Sequence, residues 1–76
     1  MEYPFRFDYG ETVRITTSAP PPLTSGVLAE VVGMRVLTQP RELLGVLCPK
    51  GTIAFQIEFP DGSCVEVTEN CIEAGE

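Results

Sequence analysis

The chain has 76 residues and a mass of 8.3 kDa, room for one small domain and not for a two-domain enzyme; a fold of this size buries only about 60% of its unfolded surface. A composition of 43% hydrophobic and 21% charged residues excludes wholesale disorder. Five Lys and Arg against eleven Asp and Glu give −6 at pH 7, and the cations Arg6, Arg14, Arg35, Arg41 and Lys50 are scattered, so no basic run exists to grip phosphates.

Residues 3 to 9 read Tyr-Pro-Phe-Arg-Phe-Asp-Tyr. Rings at every second position would share one side of an extended segment, and Pro4, lacking a donor, belongs at an edge or outside a sheet. The rings Tyr3, Phe5, Phe7 and Tyr9 either cover an open end of the core or form a contact patch for a partner. Gly10 turns the chain into a first strand, Glu11 to Thr17, with Val13 and Ile15 inward. Ser18 to Ser25 is a loop whose Ala19-Pro20-Pro21-Pro22-Leu23 run predicts a short polyproline II stretch. It serves either as stiff filler or as a ligand for an aromatic groove.

Gly26 to Leu37 is the longest strand signal. Val27, Ala29 and Val31 fall on one face, Leu28, Glu30 and Val32 on the other, and Gly33 marks a bulge or sharp bend. In Thr38 to Gly51, Pro40 followed by Arg-Glu-Leu-Leu and Gly45 predicts one helical turn. Leu43, Leu44, Val46 and Leu47 are too apolar for a plain loop: they plug the core or make an exposed patch for association. Thr52 to Phe59 alternates cleanly, with Ile53, Phe55, Ile57 and Phe59 on one side. Pro60-Asp61-Gly62 predicts a tight turn, and Ser63 to Thr68 is the return strand with Val65 and Val67 inward. Thr68-Glu69-Asn70-Cys71 predicts a 3₁₀-like turn, and Cys71-Ile72-Glu73 a last strand.

Cys48, Cys64 and Cys71 are an odd set with no Cys-x-x-Cys, and the chain has no histidine. They read as small thiols in a reducing cytosol rather than as zinc ligands or a catalytic nucleophile. No apolar run approaches a membrane span, and the Met1-Glu2-Tyr3-Pro4 start does not read as a signal peptide. A cytoplasmic location without membrane contact is the expectation.

These elements predict an all-β domain: a small, partly open barrel of five short strands with one short helical turn. The expected core is Val13, Ile15, Val27, Ala29, Val31, Ile53, Phe55, Ile57, Phe59, Val65, Val67 and Ile72. Phe7-Asp8-Tyr9-Gly10-Glu11-x-Val13-Arg14-Ile15, then Gly26-x-x-Ala29-Glu30-Val31-Val32-Gly33, then Phe55-x-Ile57-x-Phe59-x-Asp61-Gly62, and finally Glu66-Val67-x-Glu69-x-x-Ile72-Glu73 follow the order of SH3-like barrels, which the chain resembles over about half its length. Within that group it is similar to a family of small bacterial immunity proteins; that resemblance implies a toxin as partner and no catalysis. The proline loop and residues 38 to 51 depart from the pattern.

The acidity reads either as plain solubility or as attraction to a basic partner. Without histidine, a phosphate-cradling Gly-rich loop or metal-ligand spacing, the expectation is a non-catalytic protein-binding module with no cofactor and no metal. Glu66 and Glu69 flank a solvent-facing turn, a poor place for acid–base work. The candidate partner-binding residues are Tyr3, Phe5, Tyr9, Leu43, Leu44, Glu58, Asp61, Glu66 and Glu69. The alternatives are a nucleic-acid- or ribosome-associated module, which the charge argues against, and an accessory domain acting by homo-oligomerisation through Leu43–Leu47; either a monomer or a homodimer fits the composition.

Overall fold

The structure, a computed structural model, describes residues 5–75. Its strands are β1 (Thr12–Ile15), β2 (Leu28–Val36), β3 (Arg41–Leu43), β4 (Val46–Cys48), β5 (Ile53–Glu58), β6 (Cys64–Thr68) and β7 (Ile72–Ala74), with one 3₁₀ turn at Glu69–Cys71. The domain is all-β. One antiparallel sheet runs in the order β6-β5-β2-β1-β7, and β3 and β4 form a separate two-stranded sheet. Among the described residues no rung joins β6 to β7, so the ladder does not close into a ring. Of the expected strands, all five fall in the larger sheet; the smaller sheet brings the total to seven.

The β5–β6 hairpin follows its sequence signals. Phe55 pairs with Val67 and Ile57 with Val65. At the corner the Gly62 amide donates to the Phe59 carbonyl at 2.9 Å, and the Phe59 amide donates to Ser63 O at 2.8 Å. Pro60 presets the first turn position, and Gly62 takes φ +89°, the left-handed geometry of a three-residue hairpin loop.

Gly33 is where β2 changes face. Val31 pairs with Ile57, but Gly33 pairs with Gln56, so Val32 is the extra residue of a bulge. A Cβ on Gly33 would sit 2.6 Å from Gln56 Oε1, so glycine is what allows the Gln56 side chain to lie across the bulge. Before the bulge Ala29 and Val31 point inward; after it Met34 faces Phe55. The bend predicted at Gly33 is therefore a register change that re-aims half the strand.

The main core holds Phe7, Val13, Ile15, Ala29, Val31, Phe55, Ile57, Val67, Cys71 and Ile72. Val13, Ile15, Val31, Phe55, Ile57, Val67 and Ile72 are sealed from solvent, each contributing about 1.5–3 kcal/mol of hydrophobic stabilisation. Ile53, Phe59 and Val65 lie half-buried at its rim. Val27 is exposed instead of buried, because it precedes β2 and uses its carbonyl to bind the Ile15 amide at 2.9 Å while its side chain faces solvent. Phe5 and Phe7 set their ring edges on Phe55 at centroid distances of 6.1 and 5.5 Å. They reach it from a bent segment and not from a strand, and Tyr9 does not share their side: it is 66% exposed. Tyr3 lies outside the described residues.

The proline loop is a long excursion closed at its base, where the Gly26 amide donates to Ile15 O at 2.8 Å. Ala19 and Leu23 pack on the core from it. The run is not a continuous polyproline II stretch: Pro21 and Pro22 lie in a turn and are joined by a cis peptide bond.

Residues 40–45 are not a helical turn. Leu43 pairs with Val46 across a two-residue loop in which Leu44 and Gly45 take φ +53° and +79°, the signature of a type I′ β-hairpin. Burial decides against the helix. Leu43 joins Leu37, Cys48 and Ala54 in a second cluster. Ala54 neighbours Phe55 in β5 and so points to the opposite face. The hairpin thus caps the back of the sheet, and only Leu44 reaches the main core.

Candidate partner-binding surface

The fold distributes the sequence-predicted contact residues over several sides. Phe5 is half-buried against Phe55, and Tyr9 stands in solvent on the Asp8–Glu11 turn, where its amide donates to Asp8 Oδ1 at 2.8 Å. Leu43 is buried and has no free surface to offer a partner; Leu44 is half-buried. The exposed large apolar residues of that hairpin are Val46 and Leu47, the latter 72% exposed.

The acidic residues differ sharply in their surroundings. Arg35 reaches from β2 over β5 to Glu66 on β6 and binds it in a fork, Nε to Oε2 at 2.7 Å and Nη2 to Oε1 at 2.8 Å. The bonds to Glu66 hold the guanidinium above its ordinary pKa. Asp61 Oδ1 accepts from the Ser63 hydroxyl at 2.7 Å and the Ser63 amide at 2.9 Å; these bonds, the hydroxyl first, hold the carboxyl below its ordinary pKa. Glu73 lies 4.0 Å from Arg14, whose other nitrogen donates to Gly75 O at 3.0 Å. Glu69 opens the 3₁₀ turn and is half-buried. Arg6 is also engaged, with Cζ 5.0 Å from the Phe7 ring centre.

Glu58 is different. It pairs directly with Glu30 across the β2–β5 ladder, and both side chains are exposed. Neither has a side-chain hydrogen bond or an ion pair among the described residues. Like charges directly opposite in a sheet destabilise it, so this pair is an uncompensated cost in the isolated chain. The two carboxylates line an open groove of about 360 Å³ together with Thr12, Leu28, Ala29, Phe59, Pro60 and Gly62. Sequence reasoning selected Glu58 and missed Glu30, Leu28 and the groove. A signal was present: Gly26 to Val32 is apolar on both strand faces except at Glu30, and a strand open to water on one face alternates more cleanly.

Among the described residues no three His, Cys, Asp or Glu side chains converge as metal ligands, and no helix is long and apolar enough to cross a membrane. Cys48 and Cys71 are buried thiols and Cys64 is an exposed one. Cys71 Sγ lies 3.4 Å from Thr68 Oγ1, inside the 3₁₀ turn.

Comparison of the chain with protein families, with curated proteins and with solved structures finds no match.

Proposed function

We propose that this chain is an acidic, non-catalytic protein-binding module of the SH3-like type, acting in the cytoplasm in the manner of the small immunity proteins it resembles by neutralising a basic toxin. The observation that carries the reading is the state of its charges. Of the cations, Arg14 and Arg35 pair with the chain's own carboxylates and Arg6 lies over its own ring, which leaves Arg41 and Lys50 exposed at the small hairpin; Glu30 and Glu58 occupy paired positions across the ladder with no counter-charge among the described residues. Such a surface repels phosphates and draws cationic proteins into fast encounter. The strand order β6-β5-β2-β1-β7, with a 3₁₀ turn before the last strand, supports the SH3-like part of the reading.

The test is affinity capture from the native lysate followed by association kinetics with the purified captured protein. The expected partner is basic, and its association rate falls at least about tenfold between low and high salt. A rate indifferent to salt refutes the electrostatic reading. Micromolar RNA or DNA binding at physiological salt in a gel-shift assay replaces it with the nucleic-acid alternative.

A further inference from the structure

We infer that the outer face of β2 and β5, centred on Glu30 and Glu58, is the docking surface, and that its occupant is an arginine side chain of the partner, set among apolar neighbours. The inference rests on the protein-binding reading above and names its site. The β3–β4 hairpin caps this side of the sheet only around Ala54. Further along, Leu28 (45% exposed) and Val32 (39% exposed) remain open to water on either side of Glu30. Along β2 the surface therefore reads apolar, acidic, apolar, and residues two apart on a strand stand about 7 Å from each other. Beside Glu30, at cross-strand spacing of about 5 Å, is Glu58. Phe59 and Pro60 also line the groove.

This arrangement selects its ligand by charge and shape. A cation brought to this cross-strand pair offsets two like charges held on neighbouring positions, and it gains a charge-assisted contact with each once the Glu30 carboxylate, whose Oε2 lies toward Gly10, swings across to the Glu58 side. A guanidinium is planar, presents five donors and sheds water more readily than an ammonium, so it can bridge both carboxylates while its aliphatic stem lies on Leu28. A second copy of this chain is a poor occupant, because two such faces in contact would set one Glu30–Glu58 pair against another. Leu47, the most exposed of the large apolar residues, lies in the separate hairpin sheet and does not line the groove.

The experiment is an amide NMR titration of the full chain with acetyl-Leu-Arg-Leu-amide. The control peptide carries citrulline, which keeps the shape of arginine and removes its charge. Saturable shifts confined to residues 28–32 and 58–60 are expected by about 10 mM arginine peptide, with binding at least about tenfold weaker for the citrulline peptide. The double variant Glu30→Gln/Glu58→Gln should lose the shifts yet melt at a temperature equal to or above that of the parent chain, since a repulsion has gone; this separates a lost site from a lost fold. No shifts, shifts spread over all surface carboxylates, or an unchanged response in the double variant overturns the site. If the captured basic partner binds the double variant as tightly as the parent, the site falls and the broader reading stands. If no basic partner binds the parent chain, the broader reading falls.

Discussion

Replacing Phe7 by alanine tests whether the N-terminal segment is part of the core. Phe7 is 4% exposed and lays its ring edge on Phe55, which is fully buried. Truncating a buried phenylalanine costs about 3–5 kcal/mol. A domain of 76 residues at the usual 0.05–0.15 kcal/mol per residue has a stability of about 4–11 kcal/mol, so the substitution removes a large share of it. With a urea slope of about 1 kcal/mol/M, suited to so small a chain, the unfolding midpoint should fall by about 3–5 M. Phe7→Leu keeps most of the volume and loses the ring pair, for about 1 kcal/mol. Tyr9→Ala, two residues further on, is the internal control: its ring is 66% exposed, and the change should stay within about 0.5 kcal/mol. Urea melts followed by far-ultraviolet circular dichroism and by tyrosine fluorescence give the midpoints, the second probe serving for every chain but Tyr9→Ala. A Phe7→Ala shift below about 1 M, or one no larger than that of Tyr9→Ala, refutes the account of how this segment packs.

Thiol accessibility and acid titration supply two further checks. Cys64 is exposed while Cys48 and Cys71 are each 4% exposed; a chromogenic disulfide reagent should therefore titrate one thiol rapidly in the native protein and all three in denaturant, and a native count of three or of none contradicts the packing. The Asp61 carboxyl titrates below its ordinary 3.8 because Ser63 donates two bonds to the ionised form. Its contribution to stability is accordingly full above pH 3.8 and is lost as pH falls through the lower folded value. Ser63→Ala, which removes the hydroxyl bond and keeps the amide, should move the Asp61 carboxyl midpoint upward in a ¹³C-detected titration; an unmoved midpoint denies the hydroxyl its role.

The sheet was largely legible because its signals were local. Strict alternation from Thr52 to Phe59, a Pro-Asp-Gly corner and β-branched return residues require only that neighbours in sequence be neighbours in space, and β5 and β6 follow them within a residue at each end. The small hairpin was not legible. Its turn is Leu44-Gly45, with leucine in a left-handed position that usually signals Asn or Asp. What fixes it is the burial of Leu43 and Cys48 against Leu37 and Ala54, and no local pattern announces a contact between such distant positions. The ring-bearing segment was legible in part: Phe5 and Phe7 cover the core, as one of its two readings expects, but Tyr9 does not join them. Its period of two was real, but Phe7 is held by Phe55 and not by a neighbouring strand, so regular spacing did not produce extended backbone. Of the candidate surface, charge exposed Glu58, whereas Glu30 emerged only when the ladder placed it opposite.

Ala54 and Phe55 are adjacent and both wholly buried, one in each hydrophobic cluster. β5 is therefore the keel of the molecule, gripped from above and below. Sliding it by a single residue would press a phenyl ring into a slot shaped for a methyl group and leave a methyl group rattling in a space shaped for a ring. Both compartments would fail together, so the hairpin lid and the large sheet cannot choose their alignments separately: whichever way the strand seats for one, it has already seated for the other.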